Sequence, residues 1–190
     1  MNITSLKAVL ISIVLSSSLS VFAEDKVVTE NDLKSTQIEK ELNFLFTKAL
    51  STAATKLDAE RQMTPFAMIL KQNGGIGFFE IEGVKAKELS VNQQVFQIRR
   101  YLTELALNSE IKASVLGLYI NMSDGKNSKQ GISFEVEHLE GVALLRVIPV
   151  TEKQNGDQPS TIVIHTESIT TSVKHAMVFT DMAKSISKNN

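Results

Sequence analysis

The sequence predicts an α+β domain. It reads as a helix, a β-hairpin, a second helix and an antiparallel three-stranded meander, followed by a short carboxy-terminal strand or helix. Three observations predict it. Apolar residues recur at helical spacing over 38–53 and again over 91–105. Asn73-Gly74, a pair able to take the positive φ angles of a tight turn, lies between two β-rich runs. From Ile111 onward, runs of strand length follow one another with turn residues between them.

Taken in order, Thr36 and Glu39 match a capping box, in which each side chain satisfies an orphan amide of the other residue. Behind them Ile38, Leu42, Leu45, Phe46, Ala49, Leu50 and Ala53 form one apolar stripe. The pattern fades after Leu57 and must end by Thr64, because Pro65 disfavours helix at the residue before it. Residues 65–82 (PFAMILKQNGGIGFFEIE) form the hairpin. Ser90, with Gln93 as its capping partner, opens the second helix, whose stripe is Val91, Val95, Ile98, Leu102 and Leu105 and whose end is Asn108-Ser109. Residues 111–122, 131–140 and 142–151 make the meander, 153–160 a loop and 161–166 a short further strand. At the end, Phe179, Met182, Ala183 and Ile186 suit a helix, whereas 173–179 suits a strand. This order of elements also occurs in roadblock-like and profilin-like domains, a likeness of topology that carries no function.

Residues 1–23 read as a cleavable secretory signal. Lys7 supplies the positive start, 8–15 (AVLISIVL) the apolar run, and Val21-Phe22-Ala23 the small residues that signal peptidase requires. The run falls well short of the about 20 residues that span a bilayer. The expectation is a periplasmic or secreted protein with no membrane span after cleavage, a flexible leader over 24–35 and one domain over 36–190. The formal charge is −1, and loss of Lys7 makes it −2, so no field exists to hold nucleic acid or an anionic membrane. The chain has no cysteine, which excludes disulfide scaffolds, thiol nucleophiles and thiolate zinc sites.

Chemical motifs are sparse, and no cofactor is expected. Gly125-Lys126-Asn127-Ser128 lacks the upstream glycine of a phosphate-binding loop. Gly75-Ile76-Gly77 opens like a dinucleotide fingerprint, but Glu80 stands where the third glycine belongs. Of the three histidines, His138 ends the stripe Ile132, Phe134, Val136 and reads as a rim histidine bonding a carbonyl. His165 and Glu167 could share a zinc ion with His138 or His175, although the spacing matches no ligand motif. Glu80 with Glu82, and Glu135 with Glu137, read as solvated polar faces, and Arg99-Arg100 as a solvent-facing pair.

One mismatch points further. The middle meander strand is polar on one face (Ser133, Glu135, Glu137), while its neighbours are apolar on both. Leu116, Leu118 and Ile120 stand against Val115 and Tyr119 in the first, and Leu144 and Ile148 against Leu145 and Val147 in the third. Such strands require cover on both sides; with two helices on one face, the other needs the segment 162–186 folded back over it, the first helix moved across, or a partner. The sequence therefore suggests a non-enzymatic binding or accessory domain engaging a protein partner. Its contacts would be Leu116, Leu118, Ile120, Leu144 and Ile148, with Arg146 as polar anchor. The alternatives are a metal-dependent or acid/base hydrolase using His138, His165 and nearby glutamates, and a carrier of a small apolar ligand in a cavity between helix and sheet.

The chain also resembles small exported bacterial proteins of no known activity. The features are Pro65-Phe66-Ala67 opening the hairpin, Leu102-Thr103-Glu104-Leu105-Ala106 before Glu110-Ile111-Lys112-Ala113, and Val136-Glu137-His138-Leu139-Glu140-Gly141. They lie within 65–149, and the resemblance implies export without an activity.

Overall fold

A computed structural model describes residues 30–60, 63–123, 128–155 and 158–180. The predicted signal, the turn residues Asp124-Gly125 and the tail beyond Thr180 lie outside the described residues. The first element, α1, runs from Glu30 to Glu60 and so begins six residues before the predicted cap at Thr36. Residues 30–35, assigned from sequence to a leader, are helical. They contain neither Pro nor Gly, and Glu30 and Asp32 carry the sign that a helix start favours.

The hairpin follows as β1 (Phe66–Lys71) and β2 (Ile76–Glu80). The chain reverses at Gly74, whose φ is 84°, and the amide of Gly75 donates to the Asn73 side chain at 3.0 Å. A short helix not foreseen from sequence, α2 (Gly83–Glu88), precedes α3 (Val91–Leu107). Gln94 joins the two by donating to the carbonyls of Ala86 (2.8 Å) and Leu89 (3.1 Å). The capping box of Ser90 and Gln93 is fully formed at the head of α3.

The remaining strands are β3 (Ile111–Ser123), β4 (Ser128–His138), β5 (Ala143–Asn155), β6 (Gln158–Ile164) and β7 (Thr170–Val173). The sheet order is β2-β1-β3-β4-β5-β6, antiparallel throughout, with β7 also on β5. The meander thus extends through β6 to four strands, because β5 and β6 continue into the stretch predicted as a loop. β6 and β7 share the outer edge of β5 in tandem: β6 pairs with Val150–Asn155 and β7 with Leu144–Val147.

The two long helices cover opposite faces, not one. Val115, Phe134, Val136 and Ile148 pack against Leu42, Leu45, Phe46 and Ala49 of α1. Ala67, Ile69 and Leu116, the alternate residues, pack against Val95, Ile98 and Leu102 of α3, with Val178 and Phe179 from the tail. Alternation makes this split inevitable once strands are apolar on both sides. The sheet also curls around α1. Lys56 of the helix pairs with Glu80 of β2 at 2.6 Å, while Ile162 and Ile164 of β6 reach the same core from the other side. The approach is tight at Gly117, where a Cβ would lie 2.9 Å from the Phe66 ring and 3.1 Å from Phe134.

Candidate functional site

A groove of about 560 Å³ opens between the first half of α1 and β5. Ile38, Glu39, Leu42 and Asn43 form the helix wall, and Val142, Leu144 and Arg146 the sheet side, with Lys34 and Glu140 at one end. The last two are joined by an ion pair of 2.6 Å.

Arg146 is the polar centre of the groove. Its guanidinium sits 4.4 Å from the centre of the Phe46 ring, and its Nη2 donates to Asn43 Oδ1 at 2.8 Å. Burial lowers its pKa, and the charge of Glu39 acts in the opposite sense without forming an ion pair. No carboxylate among the described residues lies within ion-pair distance of Arg146. Beside it, Leu144 is directly opposite Val173 of β7, a residue 86% exposed, and Arg146 is opposite Thr171.

The six residues predicted as one contact surface divide between the two faces. Leu116, Leu118 and Ile120 belong to the α3 face: Leu116 is opposite Glu135, which is opposite Leu145, not Leu144. Leu144, Arg146 and Ile148 belong to the α1 face, in line with Val136, Phe134 and Ile132. Leu116 and Ile148 are sealed in the two cores, 2% and 0% exposed, and therefore do not present a surface. Only Leu144 and Arg146 line the groove. The sequence reading missed the helix wall, because Ile38 and Leu42 look like ordinary core positions, and it missed Val173. The β-branched residues Thr170, Thr171 and Val173 were the available signal for β7.

The predicted wet face of β4 is also corrected. Glu137 is 1% exposed, and its carboxylate accepts from the amides of Met177 (2.9 Å) and Val178 (2.8 Å) and from Lys174 Nζ. Glu135 is bound by Lys174 at 3.4 Å and by Arg99, so Arg99 is not a solvent-facing partner of Arg100. The basic side chains neutralise what would otherwise be two charges under the tail.

The histidines are not brought together. His138, 4% exposed, bonds Glu41 Oε2 of α1 through Nε2 at 3.2 Å and accepts the Glu140 amide at Nδ1. A ring nitrogen that accepts is unprotonated, so Nε2 carries the hydrogen and donates to the carboxylate. Its partner is therefore a carboxylate, not the expected carbonyl. Glu41 is pushed up by burial, but hydrogen bonds from Lys112, Gln37 and His138, with the Lys112 charge, outweigh this and hold it below its ordinary value. His165 lies beside the middle of β5, its amide on the Pro149 carbonyl, about 20 Å of strand from Ala143 beside Glu137. Its ring bonds Thr151 at 2.9 Å and Glu167 at 3.1 Å, the latter across a 3₁₀ turn (Thr166–Ser168) instead of along a strand. The Glu167 carboxyl is held below its ordinary value by its own backbone amide and by His165. His175 is exposed. Among the described residues, no three His, Cys, Asp or Glu side chains gather as a metal site. No helix is long and apolar enough to cross a membrane among those residues. Compared with known proteins, the chain matches no family model, no curated protein and no solved structure.

Proposed function

We propose that this is an exported, non-enzymatic binding domain that engages a protein partner through the groove between α1 and β5. The observation that carries the reading is Arg146, a guanidinium fixed by Phe46 and Asn43 in the groove, with no carboxylate among the described residues paired to it. An arginine held in one orientation beside Leu42 and Leu144 suits a ligand offering both an apolar side chain and an acid. Export rests on the signal pattern of residues 1–23. The roadblock-like order belongs to this proposal as topology alone. The hydrolase alternative has less support, since each of His138 and His165 is bonded to its own neighbours far from the other. A carrier would enclose its ligand, whereas this groove is open along its length.

The test is selection of a phage-displayed random dodecapeptide library on the full-length protein. Enriched peptides are expected to bind the parent at least about tenfold more tightly than they bind Leu144→Asp or Arg146→Ala. Melting curves must show both variants folded. Failure to enrich any peptide, or enrichment indifferent to both substitutions, would overturn the reading.

A further inference from the structure

We infer that the solvent face of α3 is a dimer interface. Its occupant is a second copy of this chain, the two α3 helices packing antiparallel about a two-fold axis between Tyr101 and Leu102. The surface is separate from the groove between α1 and β5, which lies on the other face of the sheet and stays open in the dimer.

The core side of α3 is formed by Val95, Ile98, Leu102 and Leu105. Turned directly away from it is a second row, Phe96, Arg100, Thr103 and Leu107, spaced four, three and four residues apart. That spacing is the a/d repeat by which one helix packs along another. The apolar ends of the row are uncovered: Phe96 is 67% exposed and Leu107 57%. Single exposed apolar residues need no explanation, but these two line one groove of about 590 Å³ together with Arg100, Glu104 and the exposed Met177.

The row is complementary to itself when reversed. In a two-fold contact residue i meets residue j, and j meets i. Turned end for end, Phe96 stands against the partner's Leu107 and Arg100 against the partner's Thr103, and each pair occurs twice. Thr103 is small enough to leave room for the arginine at the crossing. The partner's Glu104, one residue further along, then lies beside that guanidinium. Within one copy both charges are free: among the described residues neither the Arg100 nor the Glu104 side chain has an ion pair or hydrogen bond, whereas Arg99 is bound to Glu135. Two arginines and two glutamates therefore balance at the centre, and an apolar pair closes each end. A charged seam residue of this kind fixes register at some cost in affinity. One helix pair makes a small contact, under about 1,200 Å² in total, so the dimer is a reversible one.

The experiment is sedimentation equilibrium on the full-length protein, which should pass from monomer to dimer between about 10 µM and 1 mM. Phe96→Asp should weaken the dimer at least about tenfold. Arg100→Glu should do the same, and adding Glu104→Arg should restore it, a rescue that loss of helix stability would not give. The antiparallel register is read by crosslinking, since the chain has no thiol of its own. Phe96 and Leu107 are about 16 Å apart along one helix. A mixture of Phe96→Cys and Leu107→Cys should therefore form a mixed disulfide at least about tenfold faster than either variant alone. Should Phe96→Asp melt early, the charge swap and the crosslink decide. A parent that stays monomeric throughout, a dimer indifferent to Phe96→Asp, or equal crosslinking in all three samples overturns the inference. Dimerisation of a chain ending at Thr180 where the full-length protein stays monomeric also overturns it, and assigns the face to the tail.

Discussion

Glu41 shows how one side chain can set the acid limit of the domain. It joins α1 to β3 through Lys112 at 2.6 Å and to β4 through His138 at 3.2 Å. Because its carboxyl titrates below its ordinary value, it adds stability at pH values above the unfolded glutamate value of about 4.3. That contribution is lost as the pH falls through the lower folded value. Glu41→Gln should therefore melt below the parent at pH 7, and the two midpoints should converge as the pH approaches 2.5. A gap that stays constant across thermal melts from pH 7 to 2.5 would show that the ionised carboxylate is not the source. His138 was legible as the end of a core stripe, but its bond to Glu41 was not, because the two residues lie 97 apart in the chain. The burial of Glu135 and Glu137 was hidden for the same reason. Alternation says which residues share a face, and only the distant Lys174 and the tail decide whether that face is wet.

At the level of elements, signals local in sequence were the readable ones. Ser90 and Gln93 stand three residues apart and form both halves of their box, with Ser90 N donating to Gln93 Oε1 at 2.8 Å. Ser90→Ala should cost about 1 kcal/mol. That corresponds to a fall of about 2–4 °C in the melting midpoint of a protein this size. A midpoint unchanged in calorimetry would mean that the contact between α2 and α3, not the cap, fixes the start of α3. The head of α1 was misplaced because an adequate capping pair at Thr36 and Glu39 lies inside a longer helix. No Pro or Gly upstream stops it. The contact surface was misassigned through register. A slip of one residue between strands moves a whole stripe to the other face, and no turn in the sequence fixes β3 against β5.

For the molecule as a whole, the α3-side core closes only when the tail is in place. Val178 and Phe179 are buried under α3, and Glu137 grips the backbone just before them. Glu137→Ala removes the acceptor of two amides and the partner of Lys174, and should cost about 3–5 kcal/mol. Trypsin should then cut after Lys174 in the variant at concentrations that leave the parent intact. Equal resistance would mean that Val178 and Phe179 hold the tail without help. That both sheet faces needed cover could be read from the doubly apolar strands. The assignment of one helix to each face could not, since β1 carries both stripes in adjacent residues, Ala67 and Met68.

The curl of the sheet around α1 has a kinetic corollary. α1 finds neighbours far along the chain: Asn43 meets Arg146 across 103 residues, and Ile162 and Ile164 complete the same core. Loop closures of that span delay the collapse of a chain, and folds dominated by them assemble in about milliseconds to seconds. The core around α1 therefore stays incomplete in the nascent polypeptide until β5 and β6 emerge.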